Sequence, residues 1–341
     1  MGEINEDCES FEVSVIVPFY NVARYAEACV ESLLAQDFTG TYEVLLIDDG
    51  STDGTSEILD RYVKSEHIRV FHKKNGGLSD ARNFGVNHAC GRLVTFVDGD
   101  DVVSPHYIRQ LYDAQGARIN CMSIGIYKSV SYKDVVAKDG VSWPNDQSTR
   151  VLSREQVVEE LMYDKVQPTA CVKMAPRWVY ENTPFPLGMR YEEIRTVISF
   201  LHELDAFVVL SEPIYGYVMR SGSITWTHEM SPEQLREYTD AIDIICNDAV
   251  HECPKLDDAI AYQRLLLNVR AHSQIPPDCS NPLVRSMDHQ VVKEIRKSLS
   301  QVLRNPCVPI ASKVRFILTA YFTKIYDALY TIYKKKIKRV A

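Results

Sequence analysis

The sequence predicts an α/β fold: a parallel sheet with helices on both faces, continued by a less regular half and a helical C-terminal region. Three observations predict it. Short apolar, β-branched runs recur early in the chain, helix-spaced apolar positions separate them, and acidic or polar residues stand where the runs stop. The 341 residues are enough for one large domain or two ordinary ones. At 45% hydrophobic and 25% charged, the composition is that of a globular chain with a core.

Residues 13–18 (VSVIVP) form a first run that reads as a strand buried on both faces. Residues 23–36 follow with helical spacing. Residues 42–47 (YEVLLI) make a second buried strand that stops at Asp48-Asp49-Gly50, and Ser51-Thr52-Asp53-Gly54 supplies turn and cap chemistry for a helix to Val63. Residues 68–72 are a third strand, 81–89 a helix, and 93–97 (LVTFV) a fourth strand running into Asp98-Gly99-Asp100-Asp101. Beyond Pro105 the alternation fades: 155–162, 178–180 and 194–203 read as helical or mixed, and 207–210 and 214–219 as strands. From Pro232 helical patterns dominate, interrupted at Pro276-Pro277, Pro306 and Pro309.

Charge and cysteine usage exclude some classes. Against 46 acidic residues stand 38 Lys and Arg, a formal net charge of -8, so the chain lacks the positive field of a nucleic-acid binder. The 9 cysteines include no C-x-x-C pair, and the opening MGEINEDCES carries acids where a secretory signal carries bases and an apolar run. Reduced thiols in a cytoplasmic protein are expected. Cys246, His251 and Cys253 lack the paired spacing of a zinc site, and no run approaches the length of a membrane-spanning helix.

In a parallel sheet, ligands bind beyond the carboxyl ends of the strands. There the sequence sets Phe19-Tyr20-Asn21, Asp48-Asp49 and Asp98 to Asp101. In an extended chain, side chains two apart share a face, so Asp98 and Asp100 can share one hard divalent cation, Mg²⁺ or Mn²⁺, whose shell substrate phosphates and water complete. The bland reading is a solvated acidic turn. Asp49 suits a hydrogen bond from a base N–H, or the cap of the next helix; Tyr20 offers an aromatic face, or a core ring. Arg82 lies in a Gly-opened loop, 76–83, entering a helix whose positive end suits an anion. Neither G-x-G-x-x-G after the first strand nor a P-loop motif occurs.

The ordered motifs VSVIVPFYN, EVLLIDDGSTDGT, NGGLSDARNFG and LVTFVDGDD resemble the family 2 glycosyltransferases of bacterial cell-surface polysaccharide synthesis. PFPLGMRYEEI resembles that family's Glu-Asp segment and YVMRSGSIT its Arg-x-Gly-Ser-Ile segment, so the resemblance covers about residues 12–226. It implies a GT-A fold with a Rossmann-like nucleotide-binding sheet, a UDP-sugar donor, a divalent metal and inversion at the anomeric carbon. It implies a nucleotide-sugar-binding half over 12–105, an acceptor-binding half over 106–230, and a helical C-terminal region over 231–341. Residue by residue, Pro18, Tyr20 and Asp49 fall where the family holds the uridine, Arg82 in its second nucleotide-contacting loop, and Asp100 on its main metal ligand. Asp98 falls on the ribose or a metal-bound water. The family's catalytic Asp is matched by Glu193, one methylene longer, which leaves the base on Glu193 or on Glu192.

Two other readings compete. Asp98-Gly99-Asp100-Asp101-Val102 fits the D-x-D-x-[TV] pattern of phosphatases resembling the haloacid dehalogenase family, with Asp98 as nucleophile, although three strands precede it here. A non-catalytic nucleotide-sugar-binding protein is the third. Between residues 311 and 341 stand eight basic residues and one acid, Asp327, with apolar residues at helical spacing. Such an amphipathic helix suits an anionic membrane surface, which would hold the enzyme peripherally at the inner face of the cell membrane beside a saccharide or lipid-linked acceptor. The alternative is a helix packed on the catalytic domain or on the second subunit of a homo-oligomer.

Overall fold

The computed structural model describes residues 11–138, 140–219 and 230–338. The chain divides into two compact units: Met1–Arg154 with Thr169–Gly188 and Phe200–Val218, and Glu155–Pro168 with Met189–Ser199 and Met219–Ala341.

The first unit is built on a mixed sheet in the order β3-β2-β1-β4-β8-β6-β9-β5, with β7 paired to β9. Strands β1 (Val13–Phe19), β2 (Tyr42–Asp48), β3 (Ile68–His72) and β4 (Leu93–Phe96) are parallel. Every residue of β1, β2 and β4 is buried, which is why they read as continuous apolar runs rather than alternating ones. Helices α1 (Ala23–Leu34), α2 (Thr55–Leu59) and α3 (Leu78–His88) link them. The helix expected to run to Val63 is α2 and then a 3-10 turn, Asp60–Tyr62.

Past the acidic turn the sheet changes sense. β5 (Val102–Val103) pairs antiparallel with β9 (Ala206–Met219), and β8 (Lys173–Pro176) inserts antiparallel between β4 and β6 (Cys121–Ser131). The two short strands expected at 207–210 and 214–219 are one continuous strand, β9. β7 (Thr149–Leu152) pairs with its first half. Short helices α4 (Tyr107–Gln115), α5 (Tyr132–Val135) and α7 (Arg177–Asn182) fill the connections, α6 (Arg154–Met162) enters the second unit, and α8 (Glu192–His202) follows.

The second unit is otherwise helical: α9 (Pro232–Glu252), α10 (Asp257–Ser273), α11 (Pro282–Arg304), α12 (Ile310–Tyr321) and α13 (Thr323–Lys338). Prolines at the first turns and side-chain caps set its starts. Ser231 and Gln234 form a reciprocal capping box before α9, and Asn281 caps α11. Asp164 takes both terminal nitrogens of Arg270, at 3.1 and 2.5 Å, tying the end of α6 to α10. The single amphipathic helix expected from residue 311 is broken at Phe322 into α12 and α13. Among the described residues no helix is long and apolar enough to cross a membrane. Cys246 and Cys253 are buried free thiols.

Candidate active site

The end of β1 is the point on which the strand-end motifs of the first unit converge. Asp49 N–H donates to the Phe19 carbonyl at 2.9 Å, and Gly99 N–H donates to the Pro18 carbonyl at 3.2 Å. The segment that follows β2 and the one that follows β4 are thus both pinned to the Pro18-Phe19 backbone. Tyr20 stands immediately beyond, 52% exposed, with its ring available to a ligand rather than spent in the core.

Three side chains of the D-D-G-S-T-D-G-T segment and one of its backbone amides hold the turn after Tyr20. Ser51 Oγ accepts from Asn21 N, Asp53 Oδ2 from Ala23 N and Thr55 Oγ1 from Val22 N, while Thr52 N donates to Asn21 Oδ1. Asp48 is equally structural. It accepts from Ser51 N, the Ser56 hydroxyl and His72, and although burial opposes its charge these bonds hold it below the usual carboxylate range.

Asp49 is buried and shapes the loop after β3. Its Oδ1 accepts from Gly76 N at 2.9 Å and Lys73 Nζ at 2.5 Å, and its Oδ2 from Gly77 N at 2.8 Å. Gly77, at φ +88, opens α3 in a backbone conformation that L side chains rarely adopt. Burial works against the Lys73 charge, but Asp49 and Asp80 outweigh it and hold the ammonium above the ordinary lysine range. The carboxylate thus holds the 73–77 loop rather than capping the next helix, and Oδ2 keeps lone-pair capacity for a further donor.

From that loop α3 carries Arg82, 1% exposed, whose Nη2 meets Asp98 Oδ1 at 3.0 Å and whose guanidinium lies 5.3 Å from the Phe185 ring centroid. Asp98-Gly99-Asp100-Asp101 is a turn, closed by Asp101 N to the Asp98 carbonyl at 3.0 Å. The extended geometry expected to align Asp98 with Asp100 is therefore replaced by a β-turn, because Gly99 must fold against the end of β1. Asp101 points inward instead, accepting from the Tyr215 hydroxyl at 2.7 Å and Val218 N at 2.8 Å. Burial, then the charges of Asp100 and Asp98, push its carboxyl well up. The buried Cys29 thiol under the turn is raised too, by burial first and then by the same three aspartates.

This concentration of negative charge is what a hard divalent cation neutralises. Among the described residues no three His, Cys, Asp or Glu side chains gather into a ready cage. Two carboxylates fit the other regime, in which substrate phosphates and water complete the shell. Arg82 engages one oxygen of Asp98.

Sequence reasoning missed Tyr215 and Lys73. The Tyr215 hydroxyl receives from Asp98 N at 3.1 Å and donates to Asp101, so one side chain of β9 fixes both ends of the acidic turn. Its signal was a tyrosine leading into YVMRSGSIT; the Arg-x-Gly-Ser-Ile portion of that motif, from Arg220, lies outside the described residues. Lys73, the residue after β3, was a cation at a strand end facing Asp49.

Glu192 and Glu193 belong to the second unit, in the first turn of α8, where the helix dipole favours negative charge. Glu192 is buried and its carbonyl accepts from Thr196 Oγ1 at 2.8 Å. Tyr191 just before them holds φ +61, an uncommon conformation for a bulky residue, with its ring 4.6 Å from that of Tyr238. Arg190 pairs with Glu237 at 2.9 Å, and Arg195 donates to the Glu237 carbonyl at 2.7 Å, fixing the entry to the helix.

Comparison with known proteins follows the same lines. The model of the family described as glycosyl transferase family 2 matches residues 14–165. Glycosyltransferase EpsJ of Bacillus subtilis is 33% identical over 223 residues, 62% of this chain and 62% of that protein, so the match spans less than two thirds of its length. Glycosyltransferase GlyG of Streptococcus pneumoniae is 31% identical over 222 residues, 63% of this chain and 73% of that protein. Among solved structures, S. aureus TarS 1-349 in complex with UDP-GlcNAc superposes with a TM-score of 0.62 at 18% identity, covering 96% of this chain and 91% of that one. The Pyrobaculum calidifontis mannosyltransferase PcManGT in complex with GDP-Man and Mn²⁺ gives 0.54 at 14% identity, covering 94% and 88%. The fold is thus GT-A with a helical C-terminal region.

Proposed function

Because the chain belongs to glycosyltransferase family 2, we propose that it moves a sugar from a UDP-sugar to a hydroxyl of a saccharide or lipid-linked acceptor, with inversion at the anomeric carbon. The observation that carries this reading is the convergence of the Asp49 loop and the Asp98–Asp101 turn on the Pro18-Phe19 backbone. It is supported by the UDP-GlcNAc and UDP complexes of TarS and by the GDP-Man and Mn²⁺ complex of PcManGT.

In this reading Pro18, Tyr20 and Asp49 hold the uridine. Tyr20 gives the base an aromatic face, and Asp49 accepts from it while keeping the 76–77 loop in shape. Arg82 fixes Asp98 toward the ribose or a metal-bound water, and Asp100, with Asp98 beside it, holds Mn²⁺ or Mg²⁺. The ion, when bound, supplies Lewis-acid stabilisation of the departing diphosphate. Glu193 takes the proton from the acceptor hydroxyl as it attacks, with Glu192 the second candidate for that base, a role worth about 10²- to 10⁴-fold in rate. A single displacement needs no enzyme nucleophile, so the phosphatase role for Asp98 falls away and Arg82 is the partner it keeps. Residues 12–105 serve the donor and 106–230 the acceptor. The basic tail keeps the enzyme peripheral at the inner face of the cell membrane.

Calorimetric titration of UDP with and without Mn²⁺ tests the assignment. Asp100→Asn is expected to abolish the metal-dependent part of the affinity with the fold intact. Unchanged metal-dependent binding would remove Asp100 from the site. Product analysis by NMR should show the inverted anomer, and a trapped phosphoryl-Asp98 would overturn the reaction class.

A further inference from the structure

Helix α13 carries its amphipathicity inside out. Its inward side is polar: Asp327 meets the His272 ring at 3.1 Å, Lys334 donates to the Ser273 carbonyl at 3.1 Å, and Tyr326 shares a 2.5 Å hydrogen bond with the Ser273 hydroxyl. Arg315 of α12 closes this contact, donating to the Tyr326 hydroxyl at 3.1 Å. Its outward side is apolar. Ile325, Leu329, Ile332 and Tyr333 recur at i, i+4, i+7 and i+8, and each is more than half exposed. Tyr321 and Phe322, at the elbow between α12 and α13, extend the same exposed seam.

A helix resting between a protein and water turns its apolar stripe to the protein. Here the polar groups are used to dock the helix and the apolar ones are left outside, so the seam is a contact surface. Charge decides the occupant. The one acid among residues 311–341, Asp327, is turned in to His272, and although Arg315 and Lys334 are spent on the same inward contact, the sequence of the stretch still carries six further basic residues. A second copy would bring together two stretches of the same net charge. An anionic lipid surface supplies the apolar layer and the counter-charge at once.

We propose that the elbow at Tyr321-Phe322 and the Ile325–Leu329–Ile332–Tyr333 seam lie in the head-group layer of an anionic bilayer, parallel to its plane. The inference rests on the peripheral placement proposed above and adds which face inserts. The docking by Asp327, Tyr326 and Lys334 holds the seam preformed, which spares the surface the ordering cost of a tail that folds on binding.

The test is flotation of the full chain with vesicles of phosphatidylcholine mixed with phosphatidylglycerol, against phosphatidylcholine alone, at low and high salt. The wild type should float with the anionic vesicles and lose binding as salt rises. The double variant Leu329→Ser/Ile332→Ser alters only outward side chains, so it should keep its circular dichroism and UDP affinity while partition falls about tenfold per residue. Val250→Ser, at an exposed apolar position on α9, should leave partition unchanged. A wild type that floats together with an equally floating double variant overturns the seam and leaves the membrane placement standing. A wild type that ignores anionic vesicles at low salt removes both. A wild-type dimer that ignores the vesicles and becomes monomeric in the double variant makes a second copy the occupant.

Discussion

At Gly99 the acidic turn has no room for a side chain: an added Cβ would lie 2.4 Å from the Phe19 ring and 2.8 Å from the Pro18 carbonyl. The middle of Asp98-Gly99-Asp100 is therefore set by the close approach of two backbones. Gly99→Ala should push the turn off β1, destabilising the protein by about 1–3 kcal/mol, as overpacking does, and weakening metal-dependent UDP binding by ~10-fold or more. Urea unfolding and calorimetry check the two effects, and wild-type values for both would refute the packing argument. Glu192 and Glu193 separate in the same manner. A general base replaced by its amide keeps its shape and loses proton acceptance, so Glu193→Gln should lower kcat about 10²-fold or more with donor affinity unchanged, and Glu192→Gln should be milder. Steady-state kinetics with the donor affinity measured separately decide it, and the reverse ranking moves the base to Glu192.

The helices of the second unit are joined by His272 of α10, which is buried with Nδ1 2.7 Å from Asp288 of α11 and Nε2 3.1 Å from Asp327 of α13. Donating to both carboxylates requires the charged ring. Burial pulls its pKa down, but Asp288 and Asp327 outweigh burial and raise it. A base raised on folding gives its full stabilisation below the unfolded value, about 6.5, and loses it as pH rises through the higher folded value. Arg315 and Lys334 reach Ser273 beside it. Stability to urea should therefore fall as pH rises above about 6.5, and His272→Gln should remove that slope; an unchanged slope would place its origin elsewhere. Legibility in the sequence also differs element by element. β1, β2 and β4 are buried along their whole length, so their runs announce both strand and sheet type. β8 is four residues ending at Pro176, and β6 is continuously buried only over its first five residues, so neither carries a period long enough to read. The residue types of the site were legible because β1 runs abruptly into Tyr20-Asn21 and β2 and β4 into acidic residues. Tyr215 was not, because its role depends on β9 crossing back beside β5, a pairing that no local pattern encodes.

For the whole molecule the division into two units has a consequence for ligand linkage. The residues assigned to nucleotide and metal, Pro18, Tyr20, Asp49, Arg82, Asp98 and Asp100, all belong to the first unit, whereas α10, α11 and the His272 cluster belong to the second. A ligand that binds only the folded site stabilises it by about 2.7 kcal/mol at a concentration near 100 times its Kd. The stabilisation acts on whatever must open for the site to be lost. Hydrogen exchange with UDP and Mn²⁺ should therefore slow in peptides holding residues 73–77 and 96–102, since their amides close the Asp49 loop and the acidic turn. Peptides from α10 and α11 should exchange at their ligand-free rate. Chelation of the metal, or Asp100→Asn, should return the first set to that rate as well. Equal protection of both sets would mean that the units open together and that the donor site draws its stability from the whole chain. No protection at the Asp49 loop would remove Asp49 from the nucleotide site even if UDP still bound.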